Sequence, residues 1–290
     1  MEPTVRRRRL GSELRRLREA KGLTLEDVEE RAPALKESKV SRVETARIGV
    51  KPGDLDALLD IYGIGTDEED EEGAAKRALL HSLAKTGARR GWWQTYRDII
   101  SPAYADLISL EDDAHSLRTY QSLLIPGLLQ TAAYARATIS AINMTSFPEH
   151  VNGLVEVRMA RQAVLSRPHP LEVWAIIHEA ALRPTVPDAP SVMKGQLQRL
   201  LDLMEYPHVN IQVLPSHAAP HPGMTGPFTM LGFPGTADLD VVLVEHLTSA
   251  LYVEDPGEVS IYRSALDHLL AEALPRDASA DLIAKLKDTL

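Results

Sequence analysis

Gly22-Leu23-Thr24-Leu25-Glu26-Asp27-Val28, answered downstream by Ser38-Lys39-Val40-Ser41-Arg42-Val43-Glu44-Thr45, is the stretch on which the reading of this chain turns. Thr24 stands before an apolar pair, Leu25 and Val28, and Asp27 follows it by three residues. A hydroxyl and a carboxylate at that spacing cap a helix start reciprocally. Val40 and Val43 recur at helical spacing and predict a further helix from about Lys36 to Thr45. Upstream, Leu10, Leu14 and Leu17 fall at i, i+4 and i+7, one face of a helix, with Arg15, Arg16 and Arg18 mostly off that stripe and free to stay in water. Gly22 ends that helix, because glycine suits the left-handed position just past a helix C-terminus. Downstream, Pro52-Gly53 opens a fourth helix that buries Leu55, Leu58, Leu59 and Tyr62.

Four short helices in this order, with Ala32-Pro33-Ala34-Leu35 between the second and third, resemble the helix-turn-helix domain of the Xre/Cro-repressor type. The resemblance implies that the helix around Ser38–Thr45 enters the major groove. Val40 and Val43 then pack on Leu25 and Val28 and fix the docking angle. Glu37, Ser38 and Arg42 point toward base edges, arginine being suited to guanine because its fork meets O6 and N7 together. Lys36 and Lys39 are placed for phosphate. Thr24, Ser41 and Arg47 complete the expected DNA-binding set. Arg6–Arg9 are expected to reach an adjacent phosphate row, or the minor groove from a flexible arm. Glu44 is expected to be structural, paired with a basic residue such as Arg15 or Arg16. The turn departs from the family in lacking its usual glycine.

The formal net charge of −9 looks wrong for a DNA binder until it is divided. Residues 1–63 hold 14 basic and 12 acidic side chains, and residues 64–290 hold 18 and 29. Phosphate binding depends on the local patch rather than on the total, so contact is left to the N-terminal part. The chain has no cysteine, which excludes disulfides, thiol catalysis and thiolate metal sites. No apolar run approaches a membrane span, and none follows Arg6–Arg9 as a signal peptide would require. The expectation is a cytoplasmic protein.

Asp67-Glu68-Glu69-Asp70-Glu71-Glu72 is a like-charge block, read as a solvated linker or as the polar first turn of the helix that follows. The expected division is a helix-turn-helix domain over 1–65, an acidic linker and connecting helix over 66–90, and a larger domain over 91–290. In the larger domain, helical patterns cover roughly 94–113, 127–142, 149–166, 189–205 and 257–273. Strand patterns cover Ser116–Ile125, Glu172–Ile177, Val209–Leu214, Phe228–Gly232, Val241–Glu245 and Ala250–Val253. The fold class is a mainly α N-terminal domain plus an α+β C-terminal domain with a mixed or largely antiparallel sheet. Pro187–Pro190 and Pro215–Pro227 read as loops. Leu197, Leu200, Leu201 and Met204 read as core, and the amphipathic tail Asp281–Leu290 is read most simply as packing on its own domain.

Trp92-Trp93, Tyr96-Arg97 and Tyr104, then Leu123-Leu124-Ile125-Pro126-Gly127-Leu128-Leu129-Gln130-Thr131, Arg158-Met159-Ala160-Arg161-Gln162 and Gly226-Pro227-Phe228 resemble the domain that follows such a helix-turn-helix in the Scr-type antitoxin-like actinobacterial regulators, the WhiJ-like proteins among them. That resemblance implies a candidate partner, a small protein encoded nearby, and no catalytic role. An enzyme would need a constellation such as His-Glu-x-x-His, Gly-x-Ser-x-Gly or a Walker loop, and the chain has none of these. Ser216, His217, His221, Asp238, Asp240, Glu245 and His246 are the nearest substitutes, and histidines flanked by prolines are ordinary loop residues. No cofactor is implied. The expected function is a sequence-specific transcriptional regulator that binds double-stranded DNA as a homodimer and whose C-terminal domain binds a small partner protein or effector. The alternative is an antitoxin that neutralises a small partner protein and uses DNA binding for autoregulation.

Overall fold

A computed structural model describes residues 4–67, 70–84, 91–142, 147–183, 190–233 and 239–290. They divide into two compact units, Met1–Trp92 with Phe233–Leu239, and Trp93–Gly232 with Asp240–Leu290.

The first unit is helical. Helix α1 (Val5–Ala20) starts at Thr4, whose side chain accepts the N–H of Arg7. It stops at Gly22, which has φ 68°. There the N–H groups of Gly22 and Leu23 turn back to the carbonyls of Glu19 and Arg18, at 2.9 and 3.1 Å, and satisfy the open helix end. Leu10, Leu14 and Leu17 are buried as their spacing predicts. The Thr4 cap and the buried Val5 start this helix early, so Arg6–Arg9 are helical and not a flexible arm. Arg6 donates to the carbonyl of Ser82 at 2.8 Å, and Arg9 is buried.

Helices α2 (Leu25–Arg31), α3 (Glu37–Glu44) and α4 (Pro52–Tyr62) follow in the expected order. Leu14, Leu55, Leu58, Leu59 and Tyr62 are at most 1% exposed, and each fully buried leucine stabilises by roughly 1.5–3 kcal/mol. Helix α5 (Glu71–Ala84) packs on α1 and α4 through Leu79, Leu80 and Leu83. Glu13 of α1, itself buried, receives Arg16 at 2.8 Å and Lys76 of α5 at 2.6 Å. Of the acidic block, Glu71 and Glu72 form the first turn of α5 and Asp70 accepts the N–H of Gly73. Glu68 and Glu69 lie outside the described residues.

The second unit is built on one six-stranded mixed sheet. Its strands are β1 (Ser116–Gln121), β2 (Glu172–His178), β3 (Val209–Leu214), β4 (Phe228–Gly232), β5 (Val241–Glu245) and β6 (Ala250–Val253). Their order across the sheet is β3-β2-β1-β4-β5-β6. The β1–β2 and β2–β3 pairs are parallel, and the remaining pairs are antiparallel. Parallel neighbours need helical crossovers. These are α7 (Ala132–Ile142) and α8 (Pro148–Arg161) between β1 and β2, and α9 (Pro190–Met204) between β2 and β3. The register sets Leu117 opposite Val173 and Leu231, and Val173 opposite Val209. Alternate residues face the other way: Tyr120, Ile176, Leu214, Phe228, Met230 and Val242 join one core with Val259, Leu266 and Leu269 of α10 (Pro256–Glu272).

Two sequence expectations are corrected here. The span 94–113 is not one helix: a short 3-10 turn, Trp92–Tyr96, is followed by α6 (Pro102–Asp113), because Pro102 opens a new helix after the Ser101 cap. The first strand ends at Gln121 and not at Ile125. Trp93 packs on Ile100, Ile108 and Val157, whereas Trp92 is exposed. Leu197, Leu200 and Met204 are core, and α11 (Arg276–Asp288) packs on α9 and β3 through the buried Ile283. Residues 184–189, and with them most of Pro187–Pro190, lie outside the described ones. Among the described residues no helix is long and apolar enough to cross a membrane.

Candidate nucleic-acid interface

The supporting helix of the motif is capped as the sequence predicts. Thr24 Oγ1 accepts the N–H of Asp27 at 3.1 Å, and Asp27 Oδ2 accepts the N–H of Thr24 at 2.7 Å. The bonds that the Asp27 carboxylate accepts from Thr24, that of the backbone N–H foremost, hold it below its usual range. The Thr24 hydroxyl also donates to Asp27, at 2.7 Å, so this candidate residue is engaged in the cap.

The turn to α3 explains the missing glycine. Leu35 is buried and its N–H returns to the carbonyl of Ala32 at 2.8 Å, with Ala32 at φ −141° and Lys36 at φ −53°. Positive φ occurs among the described residues at Ala46, Gly22, Gly63, Gly65 and Gly226, none of them in this turn. A residue with a Cβ therefore fits throughout.

Lys36, the residue before α3, makes no side-chain cap hydrogen bond. Glu29 of α2 takes over that role: its Oε2 accepts the N–H of Glu37 at 2.7 Å, while its Oε1 meets Lys36 Nζ at 2.7 Å. The Lys36 bond and the backbone bond hold the Glu29 carboxyl below its usual range. Sequence reasoning missed Glu29. Its signal would have been a carboxylate on the solvent side of α2 within reach of an uncapped helix start.

Val40 and Val43 are buried against α1 and α2, as expected, alongside Val28; Leu25 is only half-buried. The far end of α3 is held by a second contact that was misassigned from sequence. Glu44 pairs with Arg18, not with Arg15 or Arg16. Arg18 Nε and Nη2 lie 2.8 and 2.9 Å from Glu44 Oε1 and Oε2, and Nη1 donates to the carbonyl of Leu23 at 2.8 Å. Both side chains are buried, so Arg18 is not the solvated residue that its position off the leucine stripe predicted. Arg15 instead reaches Glu19, and Arg16 reaches Glu13. Gly11 on α1 admits this approach: a Cβ there would fall 2.6 Å from the carbonyl oxygens of Val43 and Glu44.

Helix α3 is thus fixed at both ends and on its inner face. Its outer face carries Glu37, Ser38 and Arg42, all exposed, with Ser41 half-buried beside them. Ser38 and Arg42 are four apart and share one side of the helix. Ala46, at φ 56°, ends the helix, and the N–H groups of Arg47 and Ile48 both return to the Arg42 carbonyl at 2.8 and 3.2 Å. Arg47 is carried past the helix end and is exposed. The two lysines have partners within the fold: Lys36 on Glu29, and Lys39 on Asp54 of α4 at 2.8 Å. Arg42, Ser38, Ser41 and Glu37 set side-chain donors and acceptors on the outer face of α3, groups of the kind that can meet base edges.

Of the residues nearest to a catalytic set, Ser216 and His221 line one cavity. Ser216 is tied through its N–H to Glu179, Asp240 pairs with Arg263, and Asp238 lies outside the described residues. Among the described residues no cluster of histidine and carboxylate side chains could hold a metal ion.

Comparison with curated proteins and with solved structures finds no match in either. Two families do match: a helix-turn-helix domain over residues 9–71 and a larger C-terminal domain over residues 104–285. The second covers well over half of the chain, so the protein belongs to the family described as Domain of unknown function (DUF5753), carried behind a helix-turn-helix domain.

Proposed function

We propose that the protein is a sequence-specific DNA-binding transcriptional regulator of the Xre/Cro type, cytoplasmic and dimeric, whose C-terminal domain binds a small partner protein or effector. The observation that carries the reading is the frame around α3. A recognition helix must keep one orientation while its outer face stays open. Here the Glu29 cap and the Arg18–Glu44 pair hold the two ends, and Ser38 and Arg42 stay exposed. Arg42 and Ser38 read base edges, with Glu37 and Ser41 beside them. Lys36, Lys39, Arg47 and the N-terminus of α2 at Thr24 hold phosphates. A homodimer presents two such helices to half-sites about one DNA turn apart.

The test is binding to the DNA upstream of the protein's own gene, with wild type and Arg42→Ala compared across a salt series. Specific, salt-sensitive binding that falls at least about fivefold with Arg42→Ala supports the reading. Equal affinity of both proteins for specific and unrelated DNA, or no binding by the folded protein, overturns it.

A further inference from the structure

The second unit contains a cavity of about 460 Å³, within the range of small-molecule sites. Its position is significant. From β1 the chain winds outward to β2 and β3 on one side, then returns to place β4 on the other side of β1. The strand order therefore reverses between β1 and β4. There the sheet also changes from parallel to antiparallel, so the end of β1 and the start of β4 lie at the same edge. The cavity is there: Gln121 ends β1, Phe228 and Thr229 begin β4, and all three line it.

The lining is chemically mixed. It includes the apolar side chains Leu124, Ile139 and Ile142. It also includes two arginines of α8. Arg161 is 7% exposed, and its Nε lies 3.0 Å from Glu111 Oε2 without making a hydrogen bond. The Nε of Arg158 is buried and has no hydrogen-bond partner among the described residues, while its Nη1 donates to Gln130 Oε1 at 3.0 Å. Both arginines line the cavity, and the Arg161 guanidinium is shared with Glu111.

The charges favour an anion. Burial pushes the Glu111 carboxyl up, against the opposing charges of Arg161 and Arg158, and its Oε2 stays 3.0 Å from Arg161 Nε. The carboxylate that lines the cavity, Glu245, is exposed to water. The charged side chains that line the cavity thus include two arginines against one solvated carboxylate.

We propose that this cavity binds an amphipathic monoanion, a carboxylate on an apolar body, with the carboxylate held between Arg158 and Arg161 and the body against Leu124, Ile139 and Ile142. This names the effector class within the proposed regulatory reading and rests on that reading for its role, but not for its binding. The pairing is suited to the ligand: guanidiniums take carboxylates through two parallel donors, and the apolar lining gains from excluding water.

The test uses the full-length protein without DNA. Decanoate, decanol and decylamine, each below its micelle-forming concentration, are compared by titration calorimetry and thermal unfolding. Decanoate is expected to bind with one site per chain and to raise Tm, with decanol at least tenfold weaker and decylamine not bound. Arg158→Gln should cut decanoate affinity at least tenfold and leave decanol unchanged. Leu124→Trp, which enlarges an apolar lining residue and leaves the arginines in place, should weaken both. No decanoate binding, binding of decylamine as tight as that of decanoate, or decanoate affinity unchanged by both variants overturns the proposal. Because no readout involves DNA, that failure leaves the DNA-binding reading intact, and loss of DNA binding leaves this result intact.

Discussion

Arg18 and Glu44 form a two-pronged, buried ion pair, with the Nε and Nη2 atoms of the arginine at 2.8 and 2.9 Å from the two carboxylate oxygens. The pair joins the last turn of α1 to the last residue of α3. It therefore fixes the helix that carries Ser38 and Arg42 to the helix that carries Leu10, Leu14 and Leu17.

Removing one partner leaves the other charged and buried. Arg18→Ala or Glu44→Ala should therefore destabilise the first unit by about 3–5 kcal/mol. Arg18→Lys should rescue little, since an ammonium cannot supply two parallel donors. Urea unfolding followed by circular dichroism measures the loss. A cost below that of a surface pair would show that the frame around α3 does not depend on this contact.

Gly11 lies against the same helix end. Alanine normally improves a helix interior by about 0.8–1 kcal/mol over glycine. At Gly11 the added Cβ meets two backbone carbonyls at 2.6 Å, and Arg18 prevents the Glu44 end from moving away. Gly11→Ala should thus destabilise, by about 1–3 kcal/mol, and lower DNA affinity by displacing α3. Gly195→Ala in α9, where nothing lies within 4 Å of the new atom, should show the ordinary gain. Measuring the two variants side by side separates crowding from propensity.

Acidification should release α5 from α1. Burial pushes the Glu13 carboxyl up, but the hydrogen bonds and charges of Arg16 and Lys76 outweigh it and hold the group below its usual range. A carboxyl with a lower pKa folded than unfolded binds more protons in the unfolded chain as pH falls. Its stabilising contribution is complete above the unfolded value of ~4.3 and is lost as pH drops through the folded value. Glu13→Gln should lower stability at pH 7 and flatten the stability curve below pH ~4, read from urea unfolding at a series of pH values.

The sequence was most legible where periodicity carries the information. The leucine stripe of α1, the Thr24–Asp27 cap and the strands Val209–Leu214, Phe228–Gly232, Val241–Glu245 and Ala250–Val253 coincide with the structure. Periodicity misled where a charged residue is buried by a distant partner. Arg18 looks solvated on a helical wheel, and only the approach of Glu44, twenty-six residues on, makes it part of the core. It also misled at strand ends, since an apolar run such as Leu123-Leu124-Ile125 has the same pattern whether it continues a sheet or lines a cavity. Strand order and the cavity at its reversal depend on pairings far apart in the chain, for which local spacing gives no signal.

The last prediction concerns Lys36, the residue before α3, and Lys39 within it. Lys36 and Lys39 each hold a carboxylate, of Glu29 and Asp54, and both side chains keep enough exposure to reach outward. A lysine that touches phosphate contributes to affinity for every sequence alike, and its removal lowers the slope of log K against log salt by about 1. Lys36→Ala should do this with little change in the ratio of specific to non-specific binding. It also takes one partner from Glu29 but leaves that carboxylate on the N–H of Glu37, so α3 should keep its cap and its helicity. Arg42→Ala should behave in the opposite way, costing about 1–3 kcal/mol on the specific site and relaxing base preference at one position. Fluorescence anisotropy with specific and scrambled duplexes, from low to high salt, distinguishes the two. If Lys36→Ala changes the preferred sequence, or if Arg42→Ala weakens all duplexes equally, the division between phosphate-holding and base-reading residues on this helix is wrong.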